Sequence, residues 1–110
     1  MAKQNPDLVY GALEMLILKA LQHDPRHGLA IADRIQQISN EILRAGQGSL
    51  YSGLYQVAAQ WWIKAELGVS YTNRKARFYA LKHTGRKQLG AKQEPWTCIT
   101  EGINLVLSSA

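Results

Sequence analysis

Ser49-Leu50-Tyr51-Ser52-Gly53-Leu54-Tyr55-Gln56-Val57-Ala58-Ala59-Gln60 runs into Trp61-Trp62-Ile63-Lys64-Ala65-Glu66-Leu67, and Ala76-Arg77-Phe78-Tyr79-Ala80-Leu81 follows eight residues later. Across this stretch one helical period gives way to two strand-like runs. Leu50, Leu54, Val57 and Ala58 repeat at helical spacing, which predicts a helix over about Leu50–Gln60 with Ser49 as its N-cap. Tyr51 and Tyr55 lie one turn apart on another face, beside Ser52 and Gln56. Trp62–Leu67 and Ala76–Leu81 have strand character, the second through Phe78 and Tyr79. Gly68–Lys75 between them is longer than a tight hairpin turn.

Upstream, Asp7 is placed to cap a helix over about Leu8–Gln22. Leu13, Leu16, Ile17, Ala20 and Leu21 form one apolar face, and Met15 and Leu18 lie on another. A helix apolar most of the way round is buried on more than one side, and one of those sides can face a second subunit. His23–Gly28 reads as turn chemistry. A second helix over about Leu29–Ile38 turns Ile31, Ile35 and Ile38 inward. Ser39–Gly48 reads as a loop or irregular turn, with Gly46 and Gly48 leaving the backbone free around Gln47. Downstream, Thr84 is placed to cap a last helix from Gly85. Three helices, a strand, a long loop, a strand and a helix make a mainly α (α+β) winged helix-turn-helix. The order divides the chain into residues 1–82, the winged helix-turn-helix, and 83–110, a C-terminal dimerisation helix.

The chain has 110 residues, enough for one domain, and a formal net charge of +5, which suits an anionic partner. Its single cysteine, Cys98, excludes an intrachain disulfide and fits a reducing compartment; it reads as a small buried apolar residue. Met1–Pro6 holds no apolar core of a signal peptide, and Leu8–Leu21 is too short and too charged to span a bilayer. A cytoplasmic protein without membrane association is expected. His23, His27 and His83 have no metal-ligand spacing, and no nucleophile motif or phosphate loop occurs. No catalytic residue, metal or cofactor is therefore expected, and His27 reads as a structural hydrogen-bonding group.

The distribution of charge says more than its total. From Leu67 to Gln93 there is no Asp or Glu, while Arg74, Lys75, Arg77, Lys82, Arg86, Lys87 and Lys92 all fall there. Such a block suits a phosphate backbone, where each cation releases counterions. Asn73, Arg74, Lys75 and Arg77 on a wing would reach a backbone or a narrow minor groove. The third helix offers Gln47, Ser49, Tyr51, Ser52, Tyr55 and Gln56, which are base-edge or phosphate hydrogen-bonding groups. Packing of Tyr51 or Tyr55 against the wing is the competing reading. Double-stranded DNA is the partner these two elements point to.

The chain resembles the PadR-type transcriptional regulators. The resemblance runs through Leu13–Leu18, His27-Gly28 with Ile31 and Ile35, Gln47–Tyr51, Trp62-Ile63, Asn73–Leu81 and Thr84-Gly85. It is greatest to the short subgroup with one C-terminal helix. It implies a homodimeric repressor on a pseudo-palindromic operator, with the C-terminal helix docked against the partner's first helix. It also implies release by a small aromatic or drug-like effector. Ser49 and Tyr51 match the reading-helix motif, and Asn73, Arg74, Lys75 and Arg77 match the wing. Four departures stand out. Ser52 replaces a proline, Val57-Ala58-Ala59 replaces a Leu-Glu pattern, Trp61 stands where a glycine is usual, and Pro95 interrupts the last helix. Trp61 at a helix C-terminus implies a strained or altered turn, because that position commonly needs φ > 0.

Leu89, Lys92, Trp96, Ile99, Ile103, Val106 and Ala110 alternate at three and four residues, the spacing of a coiled-coil seam. An intrachain packing stripe is the other reading. Pro95 inside a straight helix costs about 3 kcal/mol, so a bent or two-part helix is expected, the second part starting near Glu94. Leu13, Met15, Leu18, Trp96, Ile99, Ile103 and Val106 are the candidates for a dimer interface or effector pocket. Trp96 is either an interface anchor or a pocket wall. Two other functions fit the same fold: a winged-helix module that binds protein or RNA, and a drifted regulator with weak operator specificity.

Overall fold

The computed structural model describes residues 12–69 and 75–110. Four helices and a small sheet follow in order: α1 (Ala12–Ala20), β1 (Arg26–His27), α2 (Gly28–Ile38), α3 (Gln47–Ala59), β2 (Ile63–Val69), β3 (Lys75–Leu81) and α4 (His83–Leu107). The fold is the expected mixed winged helix-turn-helix.

α1 is the centre of the core. Ile17 and Leu18 are fully buried, and the helix packs against α2, α3 and α4. Ile31 and Ile35 close the core from α2. Leu50, Leu54 and Val57 close it from α3, Ile63 and Tyr79 from the sheet, and Leu89 from α4. Ile38, expected inward, is exposed. It is the last residue of α2, and Ile35 one turn earlier already meets the core.

The sheet is antiparallel with strand order β1-β3-β2. The two-residue β1, which the sequence presents as turn chemistry, pairs Arg26 with Tyr79 and His27 with Phe78. Two residues are too few to show a period, so only the partner strand defines them. β2 and β3 pair along seven positions each, from Ile63 opposite Leu81 to Val69 opposite Lys75.

Both inner helix ends close in the same way. At the end of α2, Asn40 takes φ 55°, its N–H donates to the Gln37 carbonyl, and the Glu41 N–H donates to Gln36. At the end of α3, Trp61 takes φ 66°, its N–H donates to Ala58, and the Trp62 N–H donates to Val57. This is the paired pattern of a Schellman cap. Asparagine tolerates the left-handed conformation; tryptophan does so at a steric cost. The turn expected to be strained therefore keeps its normal hydrogen bonds and holds its side chain in an unfavourable backbone region.

Three terminal features differ from expectation. α3 begins at Gln47 with Gly46 as N-cap, so Ser49 lies inside the helix; glycine is acceptable as a cap, and the extra turn satisfies the Leu50 N–H on the Gly46 carbonyl. Lys82 rather than Thr84 is the N-cap of α4, and the Thr84 hydroxyl donates to the Trp61 carbonyl. α4 is one element from His83 to Leu107 with Pro95 inside it, so no separate helix starts near Glu94. Proline removes one N–H from the ladder, and the flanking bonds are enough to carry the helix past it.

Candidate nucleic-acid interface

α3 presents a face with no charge on it. Its thirteen residues include no acid or base, and Gln47, Ser49, Tyr51, Ser52 and Tyr55 are all exposed. Gln56 is half-buried at the edge of that face. The opposite side is anchored by Leu50, Leu54 and Val57, so the helix cannot roll without opening the core. The hydroxyl and amide groups are thus held in fixed order, as base-edge contacts require.

Tyr51 and Tyr55 differ. Tyr55 stands free at 75% exposed. The Tyr51 ring lies on the first residue of α2: a Cβ at Gly28 would come within 2.9 Å of its hydroxyl oxygen. Tyr51 therefore packs on α2, and glycine at position 28 is what lets it approach. The preceding residue, His27, accepts the Ala30 N–H at Nδ1 (3.2 Å), which caps α2. Its ring also meets Phe78 edge-on, with centroids 5.6 Å apart and planes at 83°. One continuous chain of contacts thus joins the exposed face of α3 to the root of the wing. The sequence marks His27-Gly28 only as a turn; a ring on one side and a strand on the other become visible once β1 is paired.

The wing carries Lys75 and Arg77, both exposed. Asn73 and Arg74 lie outside the described residues. Not every cation of the acid-free block faces outward in the same way. Lys82 holds its ammonium 5.0 Å from the Trp61 ring centroid, and Lys92 holds its own 5.3 Å from Trp62. These two knit α4 to the turn after α3. Arg86 and Lys87 remain exposed on the first turns of α4. Gly85 fixes that junction, because a Cβ there would fall 2.2 Å from the Trp62 carbonyl oxygen.

The residues expected at a subunit interface divide in two. Leu13, Met15 and Leu18 are buried in the chain's own core, and Leu18 has 0% exposure left to offer a partner. α1 is apolar most of the way round because three helices of the same chain pack against it. Trp96, Ile99, Ile103 and Val106 are exposed, and with Gly102 and Leu107 the last three line a shallow open trough. Leu89, at the start of the same seam, is buried against the core. Cys98, read as buried, is exposed, as is every residue from Gln93 to Ala110. Among the described residues no group of three His, Cys, Asp or Glu side chains could hold a metal, and no helix is long and apolar enough to cross a membrane.

Residues 17–91 match the model of the transcriptional regulator PadR-like family. A transcriptional regulator from Clostridium thermocellum superposes with a TM-score of 0.76 at 24% identity, covering 86% of this chain and 88% of that one. A PadR-like transcriptional regulator from Bacillus cereus gives a TM-score of 0.76 at 21% identity, covering 91% and 95%. A protein of Lysinibacillus sphaericus is 23% identical over 101 residues, 92% of this chain and 93% of its own length. The structural likenesses carry the fold, and the family match spans most of the helices and the whole sheet. The chain belongs to the PadR-like family, whose winged-helix members are DNA-binding transcriptional regulators and not enzymes.

Proposed function

We propose that the chain is a sequence-specific homodimeric repressor that sets α3 in the major groove of a pseudo-palindromic operator and its wing on the flanking backbone. The observation that carries this reading is the pairing of an uncharged hydrogen-bonding face on α3 with exposed Lys75 and Arg77 on the adjoining β3. Phosphate contacts position a protein, while neutral amide and hydroxyl groups discriminate bases. The exposed apolar row of Trp96, Ile99, Ile103 and Val106 supports association of two copies through α4. Trp96, 44% exposed on that row, offers a planar wall on which a small aromatic or drug-like effector would stack, altering the spacing of the two α3 helices.

The test is a salt-titrated binding assay on the duplex upstream of the protein's own coding region and on a scrambled duplex of equal length. Tighter binding to the first is expected, and equal affinity for both sinks the reading. Tyr51→Ala should lower the ratio of the two affinities. Arg77→Ala should weaken both and reduce the salt slope by about one.

A further inference from the structure

The alternation along β2 continues where there is no core left to receive it. Ile63, Ala65, Leu67 and Val69 lie on one face of the strand, with Lys64, Glu66 and Gly68 on the other. Ile63 is buried beneath that first face. Further out the same face opens to solvent, and Leu67 is 77% exposed and Val69 62%. Alternation of this kind ordinarily marks a strand with one face covered. Directly opposite on β3 stand Arg77, paired with Leu67, and Lys75, paired with Val69. Opposed residues in an antiparallel pair project from the same face. The outer half of the wing therefore presents two aliphatic side chains on β2 beside two cations on β3. The acid of this strand, Glu66, lies on the opposite face, where it is 3.7 Å from Lys64.

Whatever covers this face must be apolar over β2 and anionic over β3. A second protein core would leave Lys75 and Arg77 buried without partners, at high cost. A duplex groove has the required pattern, with deoxyribose and base edges on its floor and phosphates on its rims. We infer that Leu67 and Val69 are DNA-contacting residues of the wing, set against the minor groove by Arg77 and Lys75 contacts to the phosphate rim beside them. Aliphatic side chains used in this way exclude water from the groove floor and press on base steps, so they favour duplexes that open or bend easily there. This inference rests on the DNA-binding reading and adds an uncharged share of affinity that the count of cations does not include.

The experiment compares wild type, Leu67→Ser, Val69→Ser and Arg77→Ala on the upstream duplex across a salt titration. Thermal unfolding and sedimentation velocity are run on each protein. Leu67→Ser is expected to weaken binding by about tenfold at every salt concentration with an unchanged slope, the signature of a lost apolar contact. Val69→Ser should do the same to a smaller extent. Arg77→Ala should instead flatten the slope by about one unit. Wild-type affinity in Leu67→Ser overturns the inference while leaving the DNA-binding reading intact. So does a loss of affinity that coincides with dissociation of the subunits, because the face is then a protein interface. A wild-type protein that binds neither duplex overturns both.

Discussion

Gly85 and Gly90 are five residues apart on α4, yet they belong to different regimes of the molecule. Up to Leu89 the chain closes on itself: α1 is enclosed by three helices, and the first turns of α4 lie against Trp62 and the core. From Gln93 onward every residue is exposed, although the helix runs on to Leu107 and keeps an apolar row. The contrast teaches that continuity of a helix is not continuity of its surroundings. A β-carbon at Gly85 would strike the Trp62 carbonyl oxygen at 2.2 Å, whereas at Gly90 nothing lies within 4 Å. The first part of the helix is there for the fold. The second carries an apolar row that the rest of the described chain leaves exposed.

Adding a methyl group at each glycine is the most forceful way to break that comparison. Gly85→Ala must push the start of α4 off the turn at Trp62, and a loss of about 3 kcal/mol or more is expected in urea unfolding. Gly90→Ala should go the other way, gaining about 0.5–1 kcal/mol, because only backbone entropy changes at an open helix position. If the two substitutions have similar effects, the boundary between the regimes has been misplaced.

A charged pair beyond the boundary probes the second regime directly. Ile99→Glu together with Ile103→Glu should weaken association of two copies by about a hundredfold. The unfolding free energy of the separated chain should stay within about 0.5 kcal/mol of wild type, because exposed positions without intrachain partners tolerate change. Sedimentation velocity over a concentration series reads the first quantity and dilute unfolding the second. A wild-type chain that stays monomeric at every concentration removes the basis for the two-regime view.

Which parts of this were legible in sequence follows the same line. Apolar spacing placed α1 to α3, because each buries one face against the others within the chain. Charge placed Lys75 and Arg77 on the outside. The Trp61 turn was readable from a missing glycine. What escaped depends on neighbours distant in sequence. β1 exists only because Arg26 and His27 find Tyr79 and Phe78. Tyr51 rests on Gly28, a contact no local period encodes. Leu18 is enclosed by the chain itself, and one apolar face looks the same in sequence whether a partner or the chain itself covers it. Local propensity at Pro95 reads as a bend or a break, and α4 runs through it as one helix, so no second helix starts there.

His27 tests whether the first regime is one unit from the face of α3 to the wing. His27→Ala removes both the α2 cap and the edge contact with Phe78, and should cost about 1–2 kcal/mol in chemical unfolding. His27→Asn keeps an N-capping oxygen and loses the ring, so about half of that loss should return. The difference between the variants measures the cap, and what remains measures the link to the wing. Equal losses in both would mean that the cap contributes nothing and Phe78 carries the whole effect.

The smallest effect, and one of opposite sign, belongs to Trp61. Its φ of 66° lies where a side chain meets its own backbone, at about 1–2 kcal/mol for an L-residue. Glycine there keeps both capping hydrogen bonds to Ala58 and Val57, because these come from main-chain N–H groups, and it keeps the Trp61 carbonyl that accepts from Thr84. What it loses is the ring beneath the Lys82 ammonium, worth about 0.5–1 kcal/mol at an exposed site. It also gives the unfolded chain more freedom, which offsets part of the gain. Trp61→Gly should therefore stabilise the fold by only about 0.5 kcal/mol, while Lys82→Ala in the wild-type background should destabilise it by a similar amount and have no effect once residue 61 is glycine. A double-mutant cycle measured by thermal unfolding separates the two contributions. If Trp61→Gly instead destabilises by more than about 1 kcal/mol, the stacked lysine outweighs the strained backbone, and the tryptophan is there to hold α4 against the end of α3.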